Sequence, residues 1–370
     1  MSCGPGRARD PAGRACDRCL KRTWLLGRMA GHLDHARGRI AAVLELTEEE
    51  LIAGLGGDLG DELLREHDSV DPELLRDRCR DAGLELLCRC DRAYPGRLRD
   101  LAAPPAVLHV AGGLDRFLEL AARDPVAIVG SRAASAYGTG VAGSLGSALG
   151  RAGVGVVSGM AHGIDSAAHL GALDAQAPTI AVLPGPADRP YPPSRRALHR
   201  RVIATGAAVS ELAPGSPVRR WMFPARNRII AALAAMTVVV EAGERSGSLV
   251  TAGFARGLGR QVGAVPGQIT RPQAIGSNAL LAGGATVVRG PQDVLDALFG
   301  MGVRAVAEDD RPELTEELAL LLAGLADGHG TSTALIQAGY EPDEGLAALA
   351  SLELAGYVRR QGGGRYAVIP

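Results

Sequence analysis

Val126-Ala-Ile-Val-Gly-Ser-Arg132 runs four apolar residues into a glycine turn, and the stretch from Gly138 to Ala152 beyond it reads as a helix. An apolar strand that feeds a helix through a turn is the repeating unit of a parallel α/β sheet. The same pattern recurs downstream. Val154–Ser158 precedes a helix over Ile164–Ala175, and Thr179–Leu183, Val209–Glu211, Thr237–Glu241 and Val262–Val265 follow with helices between them. Near-continuous apolar strands joined by helical crossovers predict a Rossmann-like α/β domain, with a mostly parallel sheet covered on both faces. Such sheets bind ligands beyond the carboxyl ends of their strands. That rule marks Gly130-Ser131-Arg132, Ser158-Gly159, Glu211 and the stretch after Glu241.

Outward from this centre, about 84–300, the chain changes character. Residues 1–22 are rich in Gly, Arg and Pro and read as a mobile tail. Residues 23–83 read as a small helical domain of the SAM-like or helix-hairpin-helix-like kind. Its helices cover Trp24–Ala36, Ile40–Leu44 and Thr47–Leu55, the last opened by a Thr47/Glu50 capping box. Pro72 at a first helical position opens another, to about Ala82. Residues 301–311 read as a linker. In 312–370, two helical stretches (Thr331–Ala338 and Asp343–Ala355) and a hairpin (Tyr357–Arg360 with Arg365–Ile369) predict a small winged helix.

Composition bounds the function. At 370 residues the chain can bury one sizeable α/β core plus small modules. Its net charge is −1, so affinity for nucleic acid must come from a local patch. Aromatic residues make up 3%, too few for base stacking to be the main device. No apolar run approaches the ~20 residues that span a bilayer, and Met1–Arg22 holds no apolar signal core. A cytoplasmic chain without membrane contact is expected, with its six cysteines reduced.

Four motifs offer chemistry. Gly130, Ser131 and Arg132 present backbone N–H groups, a hydroxyl and a bidentate cation to an anion. Only one glycine stands there, so the G-x-G-x-x-G of dinucleotide binders is missing and no NAD or other cofactor is expected. In "SGMAHGIDSAAH" (Ser158–His169), Ser158 and Gly159 offer a second turn and Asp165 caps free N–H groups. His162, Asp165 and His169 share a helical spacing, but Gly163 puts His162 on the loop, which argues against a metal. Between Asp188 and Arg228, nine arginines face two acids, and prolines break the run into loops at the ligand edge. A phosphate track that includes Arg195 and Arg196 is the expectation. Within it, "FPARNRII" offers Phe223 to a base, with Arg226, Asn227 and Arg228 beside phosphates; the alternative puts Phe223 in the core and Arg228 on Glu211 or Glu241. Last, Ser246, Gly247 and Ser248 in "EAGERSGSLVTA" form a third anion nest.

Catalytic signatures are missing: there is no Gly-x-Ser-x-Gly elbow, and the sole lysine, Lys21, is far from any phosphate loop. Cys16 and Cys19, with Cys88 and Cys90, are candidates for four thiolates on zinc across a long separation.

Taken in order, "VGSR", "SGMAHGIDSAAH", "TIAVLPG", "YPP", "SELAPG", "FPARNRIIA" and "SGSLVTA" make the centre of the chain resemble the DprA/Smf family of DNA-processing proteins. The resemblance runs from about Arg92 to Ala285. It implies a Rossmann-like domain that binds single-stranded DNA, forms a homodimer and loads the recombinase RecA, protecting strands during natural transformation. It also implies that Arg132 holds phosphate beside Ser131 and the Ser158-Gly159 turn, that Phe223, Arg226 and Asn227 border the strand, and that the stretch 275–289 is a dimer surface. Two positions depart from the family pattern. Pro193 stands where a lysine often follows the Tyr-Pro of the middle loop, leaving Arg195 or Arg196 to replace it, and His162 stands where Arg or Lys is common.

The last 59 residues carry eight acids against three arginines. Glu341, Asp343 and Glu344 open the second helix of the expected winged helix, the end that normally faces bases. This tail is therefore expected to bind duplex DNA poorly and to contact protein or the chain's own basic surface. The competing reading is a nucleotide-hydrolysing enzyme of the lysine-decarboxylase-like phosphoribohydrolase type, whose Pro-Gly-Gly-x-Gly-Thr loop is missing here.

Overall fold

Val126, Ala127, Ile128 and Val129 are each at most 3% exposed. A strand buried on both faces must lie inside a sheet with layers on either side. The computed structural model describes residues 15–305, 311–326, 330–360 and 364–368. Its strands are β1 (Glu85–Cys88), β2 (Val107–Ala111), β3 (Val126–Val129), β4 (Val156–Ser158), β5 (Thr179–Val182), β6 (Ala207–Ser210), β7 (Met236–Val239), β8 (Gln261–Ala264) and β9 (Thr286–Val287). They form one nine-stranded sheet in the order β1-β2-β6-β5-β4-β3-β7-β8-β9. Only β2 runs against the rest, pairing antiparallel with both β1 and β6. The mostly parallel expectation therefore holds, but the two-residue β9 was not foreseen, nor were β1 and β2. They are joined by no helical crossover, so the pattern that revealed the other strands is missing there.

The six strands β5-β4-β3-β7-β8-β9 follow the 3-2-1-4-5-6 order of doubly wound sheets. From β3 the chain steps outward through β4, β5 and β6, then returns to β7 on the other side of β3. A crevice opens beyond the carboxyl ends of strands where the order reverses in this way, here between β3 and β7.

Local chemistry sets the helix starts. Thr47 and Glu50 exchange the two hydrogen bonds of a capping box, at 2.8 and 3.2 Å. Asp71 accepts from the Glu73 N–H ahead of Pro72. Ser135 caps the helix Ala136–Arg151 by accepting from the Gly138 N–H at 3.0 Å.

The N-terminal zone differs from expectation in two ways. Residues 1–14 lie outside the described residues, but a helix already runs over Asp17–Arg28, so the stretch up to Arg22 is not a loose tail. Cys19 and Leu20 pack there against Leu75, Leu86 and Val107, an apolar stripe that composition alone hides. The helix expected over Trp24–Ala36 is two, Asp17–Arg28 and Ala30–His35, broken at Met29 between Gly27 and Gly31. These helices share a core with the central region: Leu25, Leu33, Leu51 and Leu63 pack with Leu212, Trp221 and Met222. The Trp221 indole donates to the Ala30 carbonyl at 2.9 Å, and the Trp221 N–H donates to Asp34.

Beyond 305, helices Glu316–Ala326, Thr331–Gln337 and Pro342–Leu354 precede strands Val358–Arg360 and Tyr366–Val368, which pair antiparallel. They enclose their own core of Leu321, Ala334, Leu349, Leu352 and Val358. Part of the expected linker, 306–310, lies outside the described residues. The tail meets the sheet domain through an ion pair from Arg359 to Asp174. No helix among the described residues is long and apolar enough to cross a membrane.

Candidate functional site

The loops after β3 and β7 face each other across the point where strand order reverses. Between them lies an open groove of about 610 Å³, with Gly130, Ser131 and Arg132 on one wall and Arg245, Ser246 and Gly247 on the other. A second groove, of about 200 Å³, continues past His162, Tyr191 and Pro192. Arg132, Ala161, Phe223 and Arg226 border both, so the two form one track.

Glu241 holds the first wall in place. Its carbonyl accepts from the Ser131 N–H at 2.7 Å, and its carboxylate accepts from the Ser135 N–H and hydroxyl. At 7% exposure this carboxylate is committed to the fold. The loop it fixes presents Arg132, which is exposed, with its guanidinium carbon 5.0 Å from the centre of the half-buried Phe223 ring. Tyr191 meets Phe223 edge-on at 5.4 Å. A cation stacked on an aromatic face is held in place without losing its N–H donors.

The groove floor carries a buried charge pair. Arg226 is 6% exposed and donates to the Gly159 and Val182 carbonyls at 2.7 and 2.6 Å. Burial pulls its pKa down to about 10, opposed by attraction to Asp165, so it stays cationic at neutral pH. Burial pushes the Asp165 carboxyl up, against the pull of Arg226 and two hydrogen bonds, from the Gly159 and Ala161 N–H groups. Gly159 has to lack a side chain, because a Cβ there would overlap the Arg226 guanidinium. Gly163 has φ +73° and lies against the Ser131 and Arg132 carbonyls, so it too requires glycine.

These contacts correct several residue assignments. The Ser158-Gly159 turn is no open anion nest: the Ser158 hydroxyl donates to the Ile128 carbonyl and Asp165 takes the Gly159 N–H. Arg226 contributes a fixed charge from below rather than a flexible arm. Arg228 is turned inward onto Glu211 at 2.6 Å and leaves the candidate surface altogether. Asn227 stays at the groove, with its amide on the Gly247 carbonyl, and Ser246 and Ser248 share a hydrogen bond on the opposite wall. The nine arginines of the basic stretch do not form one track, since Arg201 pairs with Asp174 and Arg189 with Asp188. Arg196 is exposed at the start of its helix.

The two positions that depart from the family pattern touch each other. Arg195, two residues after Pro193, donates to His162 Nδ1 at 2.8 Å. The other ring nitrogen, Nε2, stands 3.4 Å from the Ser194 hydroxyl. His162, Asp165 and His169 do not converge on a metal. His169 is fully buried against Thr179, and burial lowers its pKa to about 3. Sequence reasoning missed Tyr191 and Arg245. Both stood inside quoted motifs, and an aromatic in a proline loop of so aromatic-poor a chain was the available signal. The four cysteines do converge, at a distinct place taken up below.

The fold and groove define a Rossmann-like α/β protein with arginines lining a groove at the strand reversal. The family model for DNA recombination-mediator protein A matches residues 85–299, more than half of the chain. A DprA relative from Mycobacterium tuberculosis is 40% identical over 267 residues, covering 70% of this chain and 68% of the relative. The structure of DNA processing protein A from Streptococcus pneumoniae aligns with a TM-score of 0.62 at 30% identity, over 77% of this chain and 99% of that one. DNA processing protein A from Helicobacter pylori, which binds single-stranded DNA, aligns with a TM-score of 0.51 at 27% identity over 55% and 92%. The chain belongs to the DprA/Smf family of DNA-processing proteins.

Proposed function

We propose that this chain binds single-stranded DNA along the two-part groove, holds it without catalysis, and passes it to RecA during recombination or transformation in the cytoplasm. The observation that carries the reading is Arg132, exposed over Phe223 where the two grooves meet. An arginine and an aromatic ring side by side suit a strand that offers phosphates and bases alternately. Arg245 and Arg226 extend the positive potential along the floor and the far wall.

The use of Glu241 as a clamp on Ser135 weighs against the nucleotide hydrolase, which needs a free carboxylate in such a loop. RecA loading rests on family membership alone, and RecA filament growth on strands coated with this protein tests it. Homodimerisation through 275–289 is supported by Ile275 and Val287, 47% and 48% exposed beside the short edge strand β9; sedimentation velocity reads it directly. The three helices and hairpin of the tail support a winged helix, whose acidic charge suits a protein partner better than duplex DNA.

The deciding experiment titrates a fluorescent oligothymidine at several salt concentrations. Arg132→Ala is expected to weaken binding by about tenfold and to flatten the log–log salt slope by ~0.7, the loss of one phosphate contact on a single strand. Binding indifferent to Arg132 would remove the groove from the function.

A further inference from the structure

Cys16, Cys19, Cys88 and Cys90 bring their sulfurs within 4.8 Å of one another, the only such gathering of metal-ligating side chains among the described residues. Cys16 stands at the N-cap position of the helix Asp17–Arg28 and Cys19 lies in its first turn. Cys88 ends β1, and Cys90 follows in a turn closed by the Asp91 N–H on the Cys88 carbonyl. Two short pairs, Cys-x-x-Cys at a helix start and Cys-x-Cys at a strand end, thus arrive from segments about seventy residues apart. The groove described above uses none of them.

Three chemistries could bring four sulfurs together. A disulfide needs ~2.05 Å between sulfurs, whereas Cys19 and Cys90 stand 3.7 Å apart. A tetrahedral zinc with Zn–S bonds of ~2.3 Å places its corners ~3.8 Å apart, which matches that separation. An iron–sulfur cluster puts inorganic sulfide and several irons between its ligands and spreads the thiolates further than this. The Cys16 N–H points at the Cys88 sulfur from 3.5 Å, tying the helix start to the strand end at the cluster. Cys19 and Cys88 are buried while Cys90 is exposed, so the site has a solvent-facing side through which an ion can enter.

We propose that these four cysteines bind a single structural zinc ion that fastens the first helix to the edge strand of the sheet. Each thiol gives up its proton to solvent as the ion binds, and no electron is transferred. Four protein ligands leave no open position for substrate, so the ion serves the fold.

Elemental analysis of the full chain, purified without chelator or added metal, should find about one zinc per chain. After metal removal, cobalt should give the visible spectrum of a tetrahedral thiolate site. Cys90→Ser changes the exposed ligand; it should fold, by circular dichroism, yet lose zinc to a chelator that leaves the unaltered chain loaded. Cys79→Ser, buried outside the cluster, should keep the ion. Metal-free protein with all thiols reactive, a Cys19–Cys90 disulfide in mass spectra, bound iron in place of zinc, or equal zinc loss from Cys79→Ser would each overturn the proposal.

Discussion

Arg132, on the loop after β3, is exposed and leans over Phe223, whereas Arg228, in the second turn of the helix Met222–Leu233, keeps 3% of its side chain exposed and gives its guanidinium to Glu211. Both lie near the carboxyl edge of the same sheet, and both belong to motifs that a phosphate-binding reading would claim. What separates them is the backbone element beneath. The loop points its side chain away from the sheet, while the helix packs its buried side onto β3, β4 and β5 and takes Arg226 and Arg228 inward with Ile229 and Ile230. A cation on a loop can serve a ligand; one on the buried face of a helix has to be satisfied by the protein.

The two arginines should therefore fail in opposite ways. Arg228→Ala leaves the Glu211 carboxylate buried without its partner, and a loss of ~3–5 kcal/mol in urea unfolding is expected, with the DNA affinity of the folded fraction unchanged. Should Arg228→Ala instead abolish binding at full stability, the inward assignment would be wrong.

Acidification probes the interior without mutation. His109 and His169 are held neutral, burial lowering their pKa values to about 4 and about 3. Each takes up a proton only on unfolding once pH falls below ~6.5. Stability is then complete above that value and declines on the way down to about 4 and about 3, by up to ~1.4 kcal/mol per pH unit for each group. Urea midpoints from pH 7 to pH 4 read this, and His169→Gln should make the decline shallower. The smallest expected effect sharpens the contrast most: Arg132→Ala should move the unfolding free energy by less than ~0.5 kcal/mol, although it weakens DNA binding about tenfold. A large stability loss there would show Arg132 to be a structural residue like Arg228.

Much of this was readable in the residues, and the remainder has physical causes. Strands β3 to β8 announced themselves because burial on both faces demands unbroken apolar runs, and the helix starts at Thr47 and Pro72 followed from capping-box spacing and the fixed φ of proline. The reversed β2 did not, because His109 interrupts its apolar run and an antiparallel partner needs no helix between. Charge counting marked the stretch 188–228 but could not sort its arginines, since Arg226 and Arg228 are buried while Arg196 stays exposed. The sequence leaves Arg228 between a phosphate and two acids, Glu211 and Glu241, and only the packed helix chooses Glu211. Short spacing marked the two cysteine pairs as candidates, but their meeting was not legible, because the halves come together only once the first helix docks on β1.

That docking leaves an optical consequence. The chain has two tryptophans. Trp24 lies in the first helix, its ring 6.3 Å from that of His67. Trp221 is tied to Ala30 two residues before Phe223. Both indoles thus sit on the seam between the N-terminal helices and the segment that enters the groove. Unlabelled emission from this protein reports on that seam first, and a shift in its colour marks the two parts separating before the sheet itself gives way.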